Sequence, residues 1–279
     1  MPEPSTSAAF TPPPGLPSIR TGVVVPYDMA LDSELHRFAG GQLDLLFTRT
    51  PLEPLTVTEE QAREISRPEA VADSVLALSA VAPEAYVYGC TSGSFIRGIT
   101  GERELVHAMS TAGCAPAFTT SGGLLGLTRA LGASSIAMAT PYDDAITAQC
   151  AAFFAEAGIH LMSNANLGLD GRIWEVSYAE TYELVRRADS DRADIVIISC
   201  TNLPTFDILD ALEEDLGKPV ISANQATIWT VLHHLGRPYD GPGQAVAGLS
   251  RSSRHAAERT AEDRRAEDHA AAESLSEPA

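Results

Sequence analysis

The chain has 279 residues, of which 44% are hydrophobic, and its formal net charge is −18. This length and composition are typical of a globular protein with one large core or two smaller ones. The negative charge argues against nucleic acid and anionic membranes as partners, and no apolar run approaches the ~20 residues of a membrane span. The N-terminus lacks the basic start and apolar core of a signal peptide, so we expect a cytoplasmic location.

Composition divides the chain into four segments. Residues 1–18 are rich in Pro, Ser and Thr and are predicted to be disordered. Residues 19–120 are predicted to form a first lobe, which residues 221–249 complete, and residues 121–220 are predicted to form a second lobe. Residues 250–279 are rich in Ala, Glu, Asp and Arg, which predicts a disordered or loosely helical tail.

Between the two ends, short apolar runs alternate with amphipathic stretches. The clearest strand candidates, in chain order, are TGVVV, LDLLF, AYVYG, SIAMA, IVIIS and KPVIS. Such runs are rich in Val and Ile, or short and wholly apolar, as is typical of strands that are buried on both faces. The alternation therefore predicts an α/β fold with parallel sheets.

Three stretches of the first half recur in the same order in the second half. The tripeptide PYD occurs at 26–28 and again at 141–143, and YGCTSGSF around Cys90 matches ISCTNLPTF around Cys200. A third pair joins APAFTTSGGLLG to KPVISANQATIW. The repeat predicts two similar doubly wound, flavodoxin-like lobes related by a pseudo-twofold axis, with the three loops of each lobe at strand carboxyl ends and the active site between the lobes.

The four cysteines stand at wide, irregular spacing, which predicts free thiols rather than a disulfide framework. Cys90 and Cys200 each end an apolar run and precede a Thr and a polar turn. If a helix begins at each turn, its free N–H groups and positive end favour the thiolate. We expect the other two, Cys114 and Cys150, to be packing residues.

The residues that follow the two cysteines suggest an anion site. The backbone N–H groups of four of them are predicted to hold a carboxylate or an oxyanion; they are Thr91, Ser92, Thr201 and Asn202. If the lobes face each other across a cleft, the two sulfurs approach one substrate carbon from opposite sides. That geometry suits proton removal on one face and return on the other, or thiol addition on one face and protonation on the other.

The remaining repeat loops supply further candidates. Tyr27 and Tyr142 are candidate substrate-binding residues, and Ser121 is a candidate for binding a carboxylate. Asp28 and Asp143 stand where helix N-caps belong, so we expect capping rather than acid–base work from them.

The sequence gives no sign of a cofactor or a metal. The only lysine, Lys218, directly precedes Pro219 at the predicted start of a strand, whereas ligand sites lie at strand carboxyl ends, so we expect no pyridoxal Schiff base. The histidines show no ligand spacing, and Gly122-Gly123 lacks the spaced pattern of a dinucleotide loop.

Taken together, the paired CTSGS and CTNLPT motifs, the PYD loops and the repeat resemble the aspartate/glutamate racemase superfamily, and within it the maleate cis-trans isomerase and arylmalonate decarboxylase branch. The resemblance covers residues 19–249 and implies a cofactor-independent enzyme that acts on a small dicarboxylate or related acid. It implies that Cys90 adds to the double bond of a maleate-like substrate, that Cys200 is the proton donor, and that Tyr142 hydrogen-bonds a substrate carboxylate.

The chain departs from the maleate isomerase pattern at two places. Tyr27 and Asp28 stand where a Ser-Ser-Asn turn is usual, so the asparagine that would touch a carboxylate is missing. The loop LGLDGRIWEVS is shorter than usual, and Asn164 and Asn166 are the available stand-ins for an asparagine expected near it.

Two further positions bear on the reaction type. Asn202 stands where amino-acid racemases of the superfamily carry a histidine, which argues against glutamate or aspartate as substrate. The decarboxylases keep only the second cysteine, so the presence of Cys90 favours chemistry from two sides.

The sequence thus predicts a two-cysteine isomerase or racemase of a small (di)carboxylate, most specifically a maleate cis-trans isomerase. Three alternatives stay open. They are an arylmalonate-type decarboxylase in which Cys200 is the proton donor, an amino-acid racemase, and a two-lobed sensor that binds a dicarboxylate without turnover. The expected partner is a small carboxylate substrate, and a homo-oligomer is also left open.

Overall fold

The computed structural model describes residues 19–251 and contains two four-stranded parallel sheets. The first has the strand order β2-β1-β3-β4 and the second the order β6-β5-β7-β8, so the two sheets are wound in the same way. The strands are β1 (Ile19–Val25), β2 (Leu43–Arg49), β3 (Ala85–Tyr88), β4 (Ala117–Thr119), β5 (Ser135–Thr140), β6 (His160–Asn166), β7 (Ile195–Ile198) and β8 (Val220–Ser222). The predicted α/β fold with parallel sheets is confirmed.

Helices cover both sheets. They are α1 (Asp32–Ala39), α2 (Glu59–Glu64), α3 (Pro68–Ser79), α4 (Thr91–Phe95), α5 (Gly98–Gly113), α6 (Thr120–Ala130), α7 (Asp144–Glu156), α8 (Tyr178–Ala188), α9 (Leu209–Leu216), α10 (Ala223–His234) and α11 (residues 244–251). The central strands β3 and β7, AYVY and IVII, are buried along their whole length, which explains their wholly apolar sequences. No helix within residues 19–251 is both long and apolar enough to cross a lipid bilayer.

The repeated motifs occupy equivalent places in the two sheets. The PYD loops follow β1 and β5, the cysteine loops follow β3 and β7, and the third pair of loops follows β4 and β8. Because the carboxyl ends of parallel strands meet at one edge of a sheet, each sheet presents its three loops together. The boundary between the lobes stays a prediction, since α10 packs against α1, β3 and β4 as well as β8.

Of the local predictions for single residues, the one for Asp143 is confirmed and those for Asp28 and Cys114 are wrong. Asp143 caps α7, its Oδ1 accepting the Ile146 N–H at 2.9 Å, as expected. Asp28 caps no helix, because α1 begins at Asp32 with Leu31 as its N-cap. Cys114 is exposed and ends α5 in the left-handed conformation, with φ 49°, so it is not a packing residue.

The predictions for the two ends of the chain fall largely outside the described residues. Residues 1–18 and 252–279, for which we predicted disorder or a loose helix, lie outside them entirely. Residues 250 and 251, the first two of the predicted tail, continue helix α11.

Candidate active site

Cys90 lies at the carboxyl end of β3 and is the N-cap of α4. Its side chain is buried, and its Sγ accepts the Gly93 N–H at 3.4 Å and lies 3.7 Å from the Ser92 hydroxyl. The short helix therefore directs one of its free N–H donors, that of Gly93, at the sulfur, because the cysteine occupies the position of a Ser or Thr cap.

A buried tyrosine forms one wall beside Cys90. The Tyr88 hydroxyl donates to the Ile65 carbonyl at 2.7 Å, and a Cβ added at Gly93 would lie only 2.5 Å from that hydroxyl. The glycine of the CTSGS motif is thus needed for the close approach of Tyr88. Tyr88 was not among the predicted site residues. The glycine at position 93 of the sequence is the feature that indicates a large side chain packed against this turn.

Cys200 has a strained backbone. Its φ is 104°, a conformation that L-residues rarely adopt and that costs on the order of 1–3 kcal/mol. The turn is held because the Cys200 N–H donates to the Thr91 hydroxyl at 3.2 Å and the Asn202 N–H donates to the Cys200 sulfur at 3.4 Å. Contrary to the prediction, no helix begins directly after Cys200, since α9 starts only at Leu209.

The two cysteine loops are tied to each other by their threonines. While Thr91 accepts the hydrogen bond from Cys200, the Thr201 hydroxyl donates to the Gly89 carbonyl at 3.2 Å. The loops after β4 and β8 then support these turns from behind. Ser121 Oγ donates to the Thr91 carbonyl at 3.0 Å, and Asn224 Nδ2 donates to the Thr201 carbonyl at 3.1 Å. The repeat thus joins the two cysteine loops into one unit.

The prediction that both cysteines favour the thiolate is wrong for this structure. Burial raises the pKa of Cys90 to about 11, although the Gly93 and Ser92 hydrogen bonds lower it. Burial likewise raises the pKa of Cys200 to about 12, and the Cys90 charge adds to this effect. Desolvation therefore outweighs the local donors, and both groups are neutral thiols at neutral pH. A neutral thiol is suited to donate a proton.

Tyr142 lies beside both sulfurs. Its ring is buried against Phe95, with the ring centroids 6.2 Å apart, and its hydroxyl has no hydrogen-bond partner of ordinary geometry within residues 19–251. Burial raises the pKa of Tyr142 well above its ordinary value, and Cys200 and Cys90 raise it further. A buried hydroxyl without a partner is costly, so this group is available to an incoming polar ligand.

Asp28 adds a carboxyl to this cluster. Burial raises the pKa of Asp28, while a hydrogen bond from Gln61 at 3.5 Å lowers it. The Asp28 charge in turn raises the pKa of Cys90 and of Cys200. The Asp28 carboxyl of the first PYD loop therefore lies near the two cysteines. The equivalent Asp143 of the second PYD loop is instead a helix cap. The spacing of the sequence does not distinguish these two uses.

Two of the predicted binding residues make other contacts. The Tyr27 hydroxyl donates to the Leu55 carbonyl and accepts from Gln61 Nε2, each at 3.0 Å. Asn166 Nδ2 donates to Asp144 Oδ1 at 2.6 Å, at the start of α7. Neither side chain makes a recorded hydrogen bond to a cysteine loop in the described part of the chain, so their substrate-binding roles stay predictions.

A cavity of about 440 Å³ lies elsewhere, between α5, β4 and the start of α6. Its lining includes Glu102, His107, Phe118 and Thr119, and none of its lining residues belongs to a cysteine loop. Thr119 donates to Glu102 at 2.6 Å at its edge. This cavity, called the groove below, is separate from the cysteine cluster and is a second candidate site for a small molecule.

A family model described as arylmalonate decarboxylase matches residues 56–247, which is more than half of the chain. The chain belongs to the arylmalonate decarboxylase family. Over 165 residues it is 33% identical to the arylmalonate decarboxylase of Bordetella bronchiseptica, an alignment that covers 58% of this chain and 67% of that protein. Over 127 residues it is 30% identical to a maleate isomerase of Geobacillus stearothermophilus, covering 44% of this chain and 50% of that protein.

One solved structure is similar along most of the chain. It is a variant of the Nocardia farcinica maleate cis-trans isomerase with a covalently bound succinylcysteine intermediate. It covers 83% of this chain and 98% of its own, with a TM-score of 0.74 and 21% identity, which shows a shared fold. The family model and the two sequence relatives confirm the predicted branch of the superfamily, and these relatives are enzymes. Family membership does not distinguish an isomerase from a decarboxylase.

Proposed function

We propose that this family member is a cofactor-independent isomerase or racemase in which Cys90 and Cys200 act together on a small carboxylic acid. The observation that carries the proposal is that two cysteines from equivalent loops lie in turns that are hydrogen-bonded to each other, close enough for the Cys90 charge to raise the pKa of Cys200, with Tyr142 beside both. A decarboxylase that protonates from one side needs only one such thiol. Two matched thiols favour chemistry on both faces of one carbon or one double bond.

The isomerisation of maleate to fumarate is the most specific form of the proposed reaction. Cys90 forms a C–S bond to one alkene carbon as the π bond breaks, the neighbouring carbon takes a proton from Cys200, and the proton released by Cys90 restores the Cys200 thiol. Rotation about the new single bond and reversal of these steps give the trans acid and both original thiols. The succinylcysteine intermediate of the Nocardia farcinica relative is an adduct of this kind and supports the proposal.

The surrounding groups support binding of an acid. The buried Tyr142 hydroxyl, which makes no hydrogen bond of ordinary geometry in the described residues and lies near Ser199 and Cys200, is proposed to hold one substrate carboxylate, as the resemblance implies. The Ser92 hydroxyl, beside Cys90, is proposed to donate to the same group or to an enolate oxygen. Thr91 and Thr201 are proposed to act mainly by holding the two cysteine turns together, because their hydroxyls bond the opposite loop. Asn202 is proposed to hold the Cys200 turn to the loop after β1, because its side-chain amide bonds two backbone groups of that loop.

Decarboxylation of a 2-substituted malonate is the second candidate. The family model and the 33% identity to an arylmalonate decarboxylase favour it. In that reaction Cys200 alone protonates an enediolate after loss of carbon dioxide, and its raised pKa, about 12, keeps the proton in place.

The two candidates give different products in one experiment. We expect proton NMR in deuterium oxide, run with maleate, 2-substituted malonates, aspartate and 2-hydroxy acids, to show isomerisation or exchange at one carbon of one acid. Loss of carbon dioxide from a malonate would replace the proposal with the decarboxylase. A variant with both Cys90→Ala and Cys200→Ala is the control for background reaction. If no acid changes while acids still stabilise the fold, the protein is a sensor and the proposal is wrong.

A further inference from the structure

The loop after β1, which contains Asp28, is hydrogen-bonded to the turn that follows Cys200. Asn202 Nδ2 donates to the Asp28 carbonyl at 3.1 Å, and Asn202 Oδ1 accepts the Ala30 N–H at 2.9 Å. The amide of Asn202 therefore binds two backbone groups of the loop across 172 to 174 residues of chain. Because both ends of the amide are used, residue 28 is held in place relative to the cysteine that lies two positions before Asn202.

The Asp28 carboxyl itself is weakly engaged. Its side-chain partner is Gln61 Nε2, at 3.5 Å, and that same amide donates to the Tyr27 hydroxyl at the shorter distance of 3.0 Å. Its own backbone N–H also lowers the pKa of the carboxyl. A carboxylate offers about four acceptor sites, so one long bond from Gln61 and one local backbone contact leave acceptor sites open to a ligand. The carboxyl is therefore free to meet whatever occupies the space beside the two sulfurs.

No cation offsets this carboxyl among its main neighbours in residues 19–251. The groups whose pKa its charge raises are Tyr88, Cys90 and Cys200, and all three are neutral at neutral pH. Arg49, the cation beside this loop, is paired with Asp32 at 2.6 Å and also donates to the Met29 carbonyl. Asp28 is thus the acidic group of a site whose other groups are thiols and hydroxyls.

We propose that Asp28 sets the substrate class, selecting an acid that carries one negative charge and turns a hydrogen-bond donor toward this carboxyl. Such a donor is a hydroxyl, an ammonium or an uncharged carboxyl. A dianion places its second carboxylate against Asp28, and at an effective dielectric constant of ~20 two like charges within ~6 Å repel by a few kcal/mol. The proposal rests on the two-cysteine function and narrows it to acids with one negative charge: an ionised second carboxyl is disfavoured, and this argues against the maleate dianion and so against the maleate-to-fumarate version described above.

A pair of ligands with the same carbon skeleton, one of which lacks the second negative charge, tests this. We measure the affinities of maleate dianion and of its monomethyl ester by calorimetry at several pH values up to about pH 9, because burial raises the pKa of Asp28 and its charge forms only at the higher pH values. Both titrations use a Cys200→Ser background so that the ligand is not consumed. Asp28→Asn should improve the affinity for the dianion relative to the monoester on the order of 10-fold, because the amide removes the charge at nearly unchanged volume.

The equivalent residue of the second lobe provides the matched control. Asp143→Asn makes the same chemical change at a helix cap, where Asn is as good a cap as Asp, and should leave the affinity ratio unchanged. An unchanged ratio in Asp28→Asn, the same shift in Asp143→Asn, or binding of neither acid would each overturn the proposal. Absence of turnover in the wild-type protein, together with the expected shift in binding, would instead overturn only the proposed function.

Discussion

Cys90→Ala and Cys200→Ala should each lower kcat/KM, for the acid that the NMR panel identifies, by roughly 10²–10⁴-fold, the usual contribution of a positioned proton donor or acceptor. Each sulfur lies in a loop that the other loop holds in place, and both thiols are kept protonated by burial. The isomerase mechanism needs one sulfur to form a bond and the other to supply a proton. Steady-state rates with both variants measure the effect.

The outcome for Cys90 separates the two candidate reactions. Full activity of Cys90→Ala, with inactive Cys200→Ala, would contradict the two-cysteine mechanism and leave the decarboxylase, which uses Cys200 alone. Cys114→Ala is the control, because Cys114 is exposed at the end of α5 and its thiol donates only to the Thr111 carbonyl at 3.7 Å. We expect its activity to equal that of the unchanged protein.

The second large effect concerns a buried carboxylate that joins α1 to the Cys200 loop. Glu34 is 3% exposed, and its Oε2 accepts the N–H groups of Thr205 and Phe206 at 2.9 and 3.0 Å. The Tyr178 hydroxyl donates to its Oε1. The Thr205 hydroxyl donates to Oε2 as well, at 3.4 Å. Glu34→Ala removes the acceptor of these four donors at once, and we expect the free energy of unfolding to fall by ~3–5 kcal/mol, the usual cost of breaking a buried polar network of this kind.

Urea unfolding followed by circular dichroism measures this loss. Glu34→Gln keeps the shape and one acceptor oxygen, and should fall between the alanine variant and the unchanged protein. Glu183→Ala on α8 is the control, since this exposed residue makes only an ion pair with Arg186 at 3.7 Å and its loss should cost less than ~0.5 kcal/mol. Equal losses for Glu34→Ala and Glu183→Ala would show that the network contributes no stability.

The fold could be predicted from the sequence because its signals are local and repeated. Apolar runs such as IVII mark strands that are buried on both faces, and the recurrence of PYD and of the cysteine motif indicates two sheets with the same winding. The cap at Asp143 also follows from its neighbours alone. Each of these features depends on residues close together in the chain.

The parts that could not be predicted depend on distant partners. Asp28 follows the same Pro-Tyr pair as the capping Asp143, and the Asn202 amide, 174 residues away, is what holds its loop at the site. The bonds of Glu34 to Thr205 span 171 residues. The ionisation of the cysteines was wrongly predicted because the prediction considered only the helix end, which lowers a cysteine pKa. It left out burial, which raises the pKa of both cysteines by more. The absence of a helix directly after Cys200 removed part of that argument as well.

The central claim is that the Cys90 and Cys200 loops enclose one place for one small acid. A crystal structure of the Cys200→Ser variant with the acid from the NMR panel tests it most directly. We predict that the reacting carbon lies between the Cys90 sulfur and the side chain at position 200, with a carboxylate on the Tyr142 hydroxyl. An acid bound instead in the groove beside Glu102 and His107, or sulfurs that face separate apolar interiors, would contradict the account.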